Sequence, residues 1–422
     1  MKKIYYLSIL LFAALPLDAQ FVLSGELRPK TEYRDGYKTL LEGDQKPALI
    51  TAQRSRLNFS YTGDKIATKV SVQDVRTWGE GASKSDISNL NLFEAWAEVF
   101  FTDALSLRLG RQVLSYDQNR FLGTANWNDV GASHDLAQLI YNKNFGLQLG
   151  LAYNNDKSKN YESNYPVANY KTLAFLRAEK DLGSLFNLSV ISIADGYQLE
   201  DDPTVVYQQL TTGLNLNMSN DSIRSSLYGS LYYQGGTYKD GTPVSAWFAS
   251  LNYGYKFSGK TSMLLAGEYF SGDDAYNDNG VKNSFTNLYG NGHLYYGYMD
   301  YFSTIDKDTE NGGLMDLYAR LNYKFSKKTS SELTCHYFSL ANNIVDTLST
   351  PGVNQPAPKY LGTEIDLVLK YKMTSSLEIQ GGYSAMLATP TMEILKGGDH
   401  SRYQQWLWVM LTFKPEFINT KK

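Results

Sequence analysis

Apolar and polar positions alternate along most of this chain, and the period is two. In RSRLNFSYTGDK, Leu57, Phe59 and Tyr61 fall on one face, with Arg54, Arg56, Asn58 and Ser60 on the other. DALSLRLGRQ sets Leu105, Leu107 and Leu109 against Ser106, Arg108 and Gln112. LYARLNYKFSKK and EIDLVLKYKM repeat the pattern, and no amphipathic helix of any length emerges. Successive side chains of a strand point to opposite faces, so this is the signature of β-structure. The opening strand GELRPKTEYRDGY is the extreme case. Glu26, Arg28, Lys30, Glu32 and Arg34 form one wall, and Leu27, Pro29, Thr31 and Tyr33 the other.

The connections are of two kinds, and they alternate. Eight are short, near 63–64, 102–103, 142–144, 182–185, 219–221, 258–260, 326–328 and 374–375. Nine are longer and rich in Gly, Asp and Asn: 35–49, 79–88, 115–131, 155–168, 195–204, 235–242, 273–312, 341–358 and 389–402. Seventeen connections join 18 strands. HLYYGYMDYF, residues 293–302, has some strand character, but counting it would break the alternation and the even number that single-chain bacterial barrels show. It is therefore assigned to the loop 273–312, folded into the lumen. QWLWVMLTF, ending at Phe413, is the last strand, with KPEFINTKK trailing beyond it. The predicted fold is all-β: a transmembrane antiparallel β-barrel of 18 strands, with short periplasmic turns and longer extracellular loops. A charged strand wall is then a lumen wall, which only a water-filled interior tolerates. A secreted sandwich or propeller fits less well, because the strands are long and no 40–50-residue repeat is present.

The N-terminus agrees with export. Lys2 and Lys3 precede the apolar IYYLSILLFAALPL, and a cut after Ala19 is expected. Residues 1–19 are read as a signal peptide and 20–422 as one barrel domain in the outer membrane of a Gram-negative cell. Composition adds 33 Tyr, which suits aromatic girdles at the membrane interfaces, and one Cys, which rules out an internal disulfide. The net charge of −3 gives no sign of a nucleic-acid partner.

The pore-lining candidates are Glu26, Arg28, Lys30, Glu32, Arg34, Arg54, Arg56, Lys69, Glu94, Glu98, Arg108, Arg320, Glu364 and Asp366. The early strands are rich in Arg, which holds carboxylates bidentately and would favour an anionic solute. The alternative is that opposite charges on neighbouring strands pair and stiffen the wall. Trp96 shares a face with Glu94 and Glu98, so either an indole stands in the lumen or a bulge shifts the register. The facing of Asp74 and Arg76 is open for the same reason. His134, His293, His336 and His400 lack metal-ligand spacing, and no nucleophile elbow or phosphate loop occurs, so neither catalytic nor metal residues are assigned. No cofactor is expected. SGDDAYNDNG and TIDKDTENGG offer oxygen ligands for calcium but lack the EF-hand spacing.

The stretch LRLGRQVLSYDQNRFLGTANWNDVGASHDLAQLIY, residues 107–141, resembles the alginate export family of outer-membrane barrels. The likeness lies in Gly110, Arg111, Gln112, Tyr116, Arg120, Leu122, Gly123, Trp127, Asn128 and Asp135. ELRPKTEYRDGY, HLYYGYMDYF and LGTEIDLVLKYK are further family-like segments. The resemblance implies an 18-stranded barrel, matching the independent turn count, and a basic constriction for a polyuronate. This chain has instead a mixed-charge lumen, and His134 stands where the family tends to carry an aromatic. Simple spacing sends Arg111 toward lipid, and a bulge at Gly110 would turn it inward. The leading expectation is a passive channel for small hydrophilic, including anionic, solutes. The alternatives are a dedicated exporter of an anionic polysaccharide working with periplasmic partners, and an enzyme or surface-binding protein on a plugged barrel. Outer-membrane lipid and lipopolysaccharide are the expected surroundings.

Overall fold

A computed structural model describes residues 19–84, 89–199, 202–220, 222–348 and 354–421; the expected signal peptide, but for its last residue Ala19, lies outside them. Eighteen strands run in sequence. They are β1 (Gln20–Asp35), β2 (Ala48–Thr62), β3 (Ile66–Thr77), β4 (Leu90–Phe100), β5 (Leu105–Gln112) and β6 (His134–Asn142). Then come β7 (Gly146–Tyr153), β8 (Thr172–Leu182), β9 (Phe186–Gln198), β10 (Val206–Met218), β11 (Ser225–Thr237) and β12 (Pro243–Lys256). The last six are β13 (Thr261–Phe270), β14 (Leu314–Lys324), β15 (Thr329–Leu340), β16 (Tyr360–Lys372), β17 (Leu377–Ala388) and β18 (Gln404–Phe413). Sequence neighbours pair antiparallel throughout, and β18 pairs back onto β1 from Leu27↔Phe413 to Asp35↔Gln405. This closes the barrel and leaves no sheet edge, as a membrane span requires.

All eight short turns fall where the alternation places them. Two of the long connections are shorter than expected, 199–205 and 238–242, because β9 and β11 continue through their glycines. The C-terminal tail also departs from expectation. Glu416–Asn419 forms a short strand, β19, on the start of β1, with Val22↔Asn419 in register. Pro415 interrupts the ladder because it has no N–H, yet its carbonyl still accepts from Gly25 N at 2.9 Å.

The outer face carries Leu, Val and Ile at mid-height and aromatics at both ends. Tyr33, Trp78, Tyr153, Trp247 and Tyr360 stand near the long loops, and Phe101, Phe145, Phe257, Phe325 and Tyr371 near the short turns. Such girdles sit where an apolar ring meets headgroups. Inside, large rings lie over glycines of the next strand. Gly213 pairs with Tyr232, and a Cβ there would strike the Tyr232 ring. Gly213→Val is expected to destabilise the barrel by about 1–3 kcal/mol by overpacking. A lowered midpoint of urea unfolding in lipid vesicles checks this.

The upper lumen is filled by loops. We number the long connections used below L1 (36–47), L3 (113–133), L7 (271–313) and L9 (389–403). L7 contains a one-turn helix, α1 (Ile305–Asp308), and L9 the helix α2 (Pro390–Lys396). HLYYGYMDYF lies within L7. Phe285, Tyr296, Met299, Tyr301, Phe302 and Ile305 of L7 are buried against Phe248, Phe270, Phe338 and Trp406 of the wall. Each such side chain contributes about 1.5–3 kcal/mol by leaving water, so the loop is held by an apolar core of its own.

Candidate pore and its charged wall

Alternation and burial place all fourteen pore-lining candidates on the inner face. Their surroundings divide them. On β1 and β2 the charges hold L3 rather than meet open water. Arg28 Nη1 donates to Asn126 O at 2.6 Å, and Nη2 to Trp127 O and Asn128 O at 3.2 Å and to Asp129 Oδ1 at 2.9 Å. Arg54 donates from Nε to Glu26 Oε1 at 2.7 Å and from Nη2 to Asn126 Oδ1 at 2.9 Å. Arg56 donates to Gln73 Oε1 at 2.9 Å and covers the Phe93 ring at 3.6 Å. Lys30 lies between Asp129 at 3.6 Å and Glu32 at 3.7 Å, over the Trp127 ring, and Glu32 also pairs with Arg34 at 2.7 Å. Arg28 and Arg54 are only 3% and 0% exposed. The expected anion-facing Arg strands are thus paired and covered.

The second group stays open to the lumen. Lys69 pairs with Glu94, and Arg108 binds Glu98 Oε2 from Nε at 3.0 Å and Nη2 at 2.7 Å. The Lys69 and Arg108 side chains keep 32% and 27% of their surface exposed. Trp96 stands among them with Arg108 over its ring at 4.3 Å. A bulge does occur on β4, opposite Ser71 and Val72, and it turns the adjacent Phe93 and Glu94 both inward. It precedes Trp96, so Glu94, Trp96 and Glu98 stay in phase. On β3, Asp74 and Arg76 fall on the outer face and pair there at 2.6 Å.

Across the barrel, Arg320 lies 3.6 Å from Glu332, which accepts from Tyr298 of L7 at 2.6 Å. Glu364 accepts from Met299 N at 2.8 Å, and Asp366 from Ser384 Oγ at 2.5 Å, with His336 Nε2 3.7 Å away. Glu332 and Glu364 thus serve as sockets for L7. Within L7 itself, His293 stacks on Trp127 of L3 at 4.1 Å and meets Asp300 at 2.7 Å. Burial would raise the Asp300 carboxyl, but His293 and the Tyr37 hydroxyl outweigh it and hold it below the usual range. A carboxyl lowered on folding stabilises above its unfolded value of about 3.9 and loses that contribution as pH falls through the folded value.

The family-like motif builds the junction between L3 and L7. Arg120 donates from Nη1 and Nη2 to the two oxygens of Glu268 on β13, each at 2.8 Å, and lies 3.4 Å from the Tyr295 ring. Gly123 N donates to Tyr289 O at 3.1 Å. Gln112 points inward, donating to Leu136 O at 3.1 Å, and Tyr116 meets Gln138. Gly110 has φ 119° and lies against Ala95 O, so a side chain there is excluded. It does not shift the register: Arg111 remains opposite Ala95, on the outer face, and pairs with Asp135 at 2.7 Å. The inward turn that a pore role would need is not taken.

Two features escaped the reading of the sequence. One is Glu268 as partner of Arg120. The other is a lysine cluster at the short-turn mouth, where Lys260, Lys324, Lys327, Lys328, Lys370 and Lys372 line a cavity of ≈ 840 Å³ with Glu378 and Gln380. Lys324 and Lys372 sit on the polar face of their strands, so the alternation already carried that signal. Of the acidic segments, Asp273, Asp274 and Asp278 line a separate cavity of ≈ 540 Å³, and their oxygens accept from nearby groups such as Asn283 N, Tyr276 N and Gly280 N. Asp306 and Asp308 instead pair with Lys282 and Lys396.

No curated protein matches the chain in sequence. Solved structures match its fold. The outer membrane protein opdK from Pseudomonas aeruginosa is 13% identical, with 95% of this chain and 99% of that one aligned and a TM-score of 0.60. OccAB1 from Acinetobacter baumannii is 12% identical over 95% and 97%, with a TM-score of 0.62. OpdL from Pseudomonas aeruginosa is 13% identical over 94% and 99%, also at 0.62. The fold is that of an outer-membrane β-barrel. The family described as alginate export matches residues 22–152 and 195–390. By that match over most of its length, the chain belongs to the alginate export family.

Proposed function

We propose that this barrel is a passive outer-membrane channel for small hydrophilic solutes that favours anions. The observation that carries the reading is the periplasmic mouth, where six lysines and one carboxylate line a single cavity. Converging charge of one sign raises the local concentration of counter-ions and steers them inward. Higher up, Lys69, Arg108 and Trp96 continue a half-exposed polar wall, while L3 and L7 narrow the path. Size filtering falls to the loops and charge filtering to the mouth.

Planar-bilayer recording in a salt gradient tests this. Wild type is expected to give an anion-directed reversal potential. Lys324→Gln, Lys370→Gln and Lys372→Gln together should move it toward zero, most clearly at low ionic strength where screening is weak. An unchanged potential would remove the lysines from the selectivity, and silence at all voltages would sink the channel reading. Family membership favours a second reading, export of an anionic polysaccharide. A polyuronate added on the periplasmic side should then block the current at far lower concentration than its monomer does.

A further inference from the structure

A cluster in L9 has the chemistry of a metal site. Glu393 on α2, Asp399 and His400 each bring one ligand atom within 4.8 Å of the others. The chain doubles back after α2 through Gly397 and Gly398, both at positive φ (65° and 78°), which returns Asp399 and His400 to Glu393. The mount is firm. Thr391 and Met392 of α2 are buried, and its Lys396 pairs with Asp308 of L7 at 2.7 Å. The ligand side is accessible, with the His400 and Glu393 side chains 34% and 21% exposed. His134 and His336 are buried at 6% and 2%, and the His293 side chain is 10% exposed between Trp127 and Tyr298. Of the four histidines, His400 is the one open to an ion from outside.

We infer that Glu393, Asp399 and His400 bind one divalent transition-metal ion of the zinc type at the extracellular surface. One imidazole nitrogen with two carboxylates suits zinc or copper, whereas calcium takes oxygen ligands throughout. His400 Nδ1 lies 2.5 Å from Glu393 Oε1, which also accepts from His400 N at 2.7 Å. A bound ion would take the place of this contact between the imidazole and the carboxylate. Asp399 accepts from Ser401 N at 2.8 Å through Oδ1, which orients the carboxylate. Arg402 follows closely, but its Nη1 is directed to Gly43 O of L1 at 3.0 Å. Because L9 meets L1 through Asp399 N on Leu41 O and L7 through Lys396 on Asp308, the bound ion ties the cover of the lumen to the approach of β18.

The test uses the full-length mature barrel, purified without a histidine tag. Zinc is titrated calorimetrically, and one equivalent of Cu²⁺ is examined by electron paramagnetic resonance. Wild type is expected to take one zinc, and the copper spectrum to show coupling to one imidazole nitrogen. His400→Ala and Asp399→Asn should each weaken zinc by about tenfold or more, with His400→Ala abolishing the nitrogen coupling. Unchanged heat-modifiable migration on gels shows that both variants fold. Zinc binding equal in wild type and His400→Ala would overturn the assignment, as would a copper spectrum without nitrogen coupling in wild type.

Discussion

Arg120→Ala is expected to destabilise the barrel by about 3–5 kcal/mol, because it leaves a buried carboxylate without its partner. The pair is nearly shut off from water, with Arg120 and Glu268 side chains 1% and 0% exposed. It joins L3 to β13 beneath L7, and Tyr296 OH shares the guanidinium at 2.9 Å. The loss should therefore appear twice: as a lowered urea midpoint in vesicles, and as larger, noisier conductance when L3 and L7 part. Arg120→Met with Glu268→Gln removes both charges and should recover most of the stability, since breaking a buried pair costs more than removing it. A single variant that unfolds like wild type would mean that water reaches Glu268, and would rule out a clamp.

The second large effect is expected from Arg28→Gln combined with Arg54→Gln. Between them these side chains bind the backbone and side chains of residues 126–129 and the carboxylate of Glu26. Hydrogen bonds to charged groups contribute about 1.5–3 kcal/mol each, so the double variant should free L3 from the wall while β1 and β2 stay paired. Cleavage within L3 by protease added outside cells should become fast, and open-channel current should rise and flicker. The reversal potential should change little, because the lysine mouth is untouched. If selectivity is lost while L3 stays protected, then Arg28 and Arg54 act on solutes directly and the loop-holding role is wrong.

These two sites show where legibility in the sequence ended. That Arg28 and Arg54 face inward follows from a period of two on β1 and β2, a local property of extended chains. Strand number, turn positions, lipid-facing Leu rows and the inner position of all fourteen charged candidates follow from the same local rule. So does the aromatic supply of the girdles. Whether an inward charge meets water or a loop is not local. Arg28 finds Asp129 across a separation of 101 residues, and Arg120 finds Glu268 across 148. Alternation says nothing of loops, which have no period, so the course of L3 and L7 into the lumen is decided by side-chain packing alone.

The same reason separates the two ends of the candidate pore. At the periplasmic mouth the connections are short, so Lys324, Lys370 and Lys372 stay where their strands put them, and their convergence was readable from strand order. At the extracellular end, long loops bring together residues with no common pattern, such as Trp127 with His293 and Glu393 with His400. The sequence by itself determined the barrel, its two faces and the sign of charge along each strand, because backbone pleat and the need to pair every strand leave little freedom. Only the tertiary structure decided which of those charges remain free for a solute, because that depends on which loop atoms reach them first.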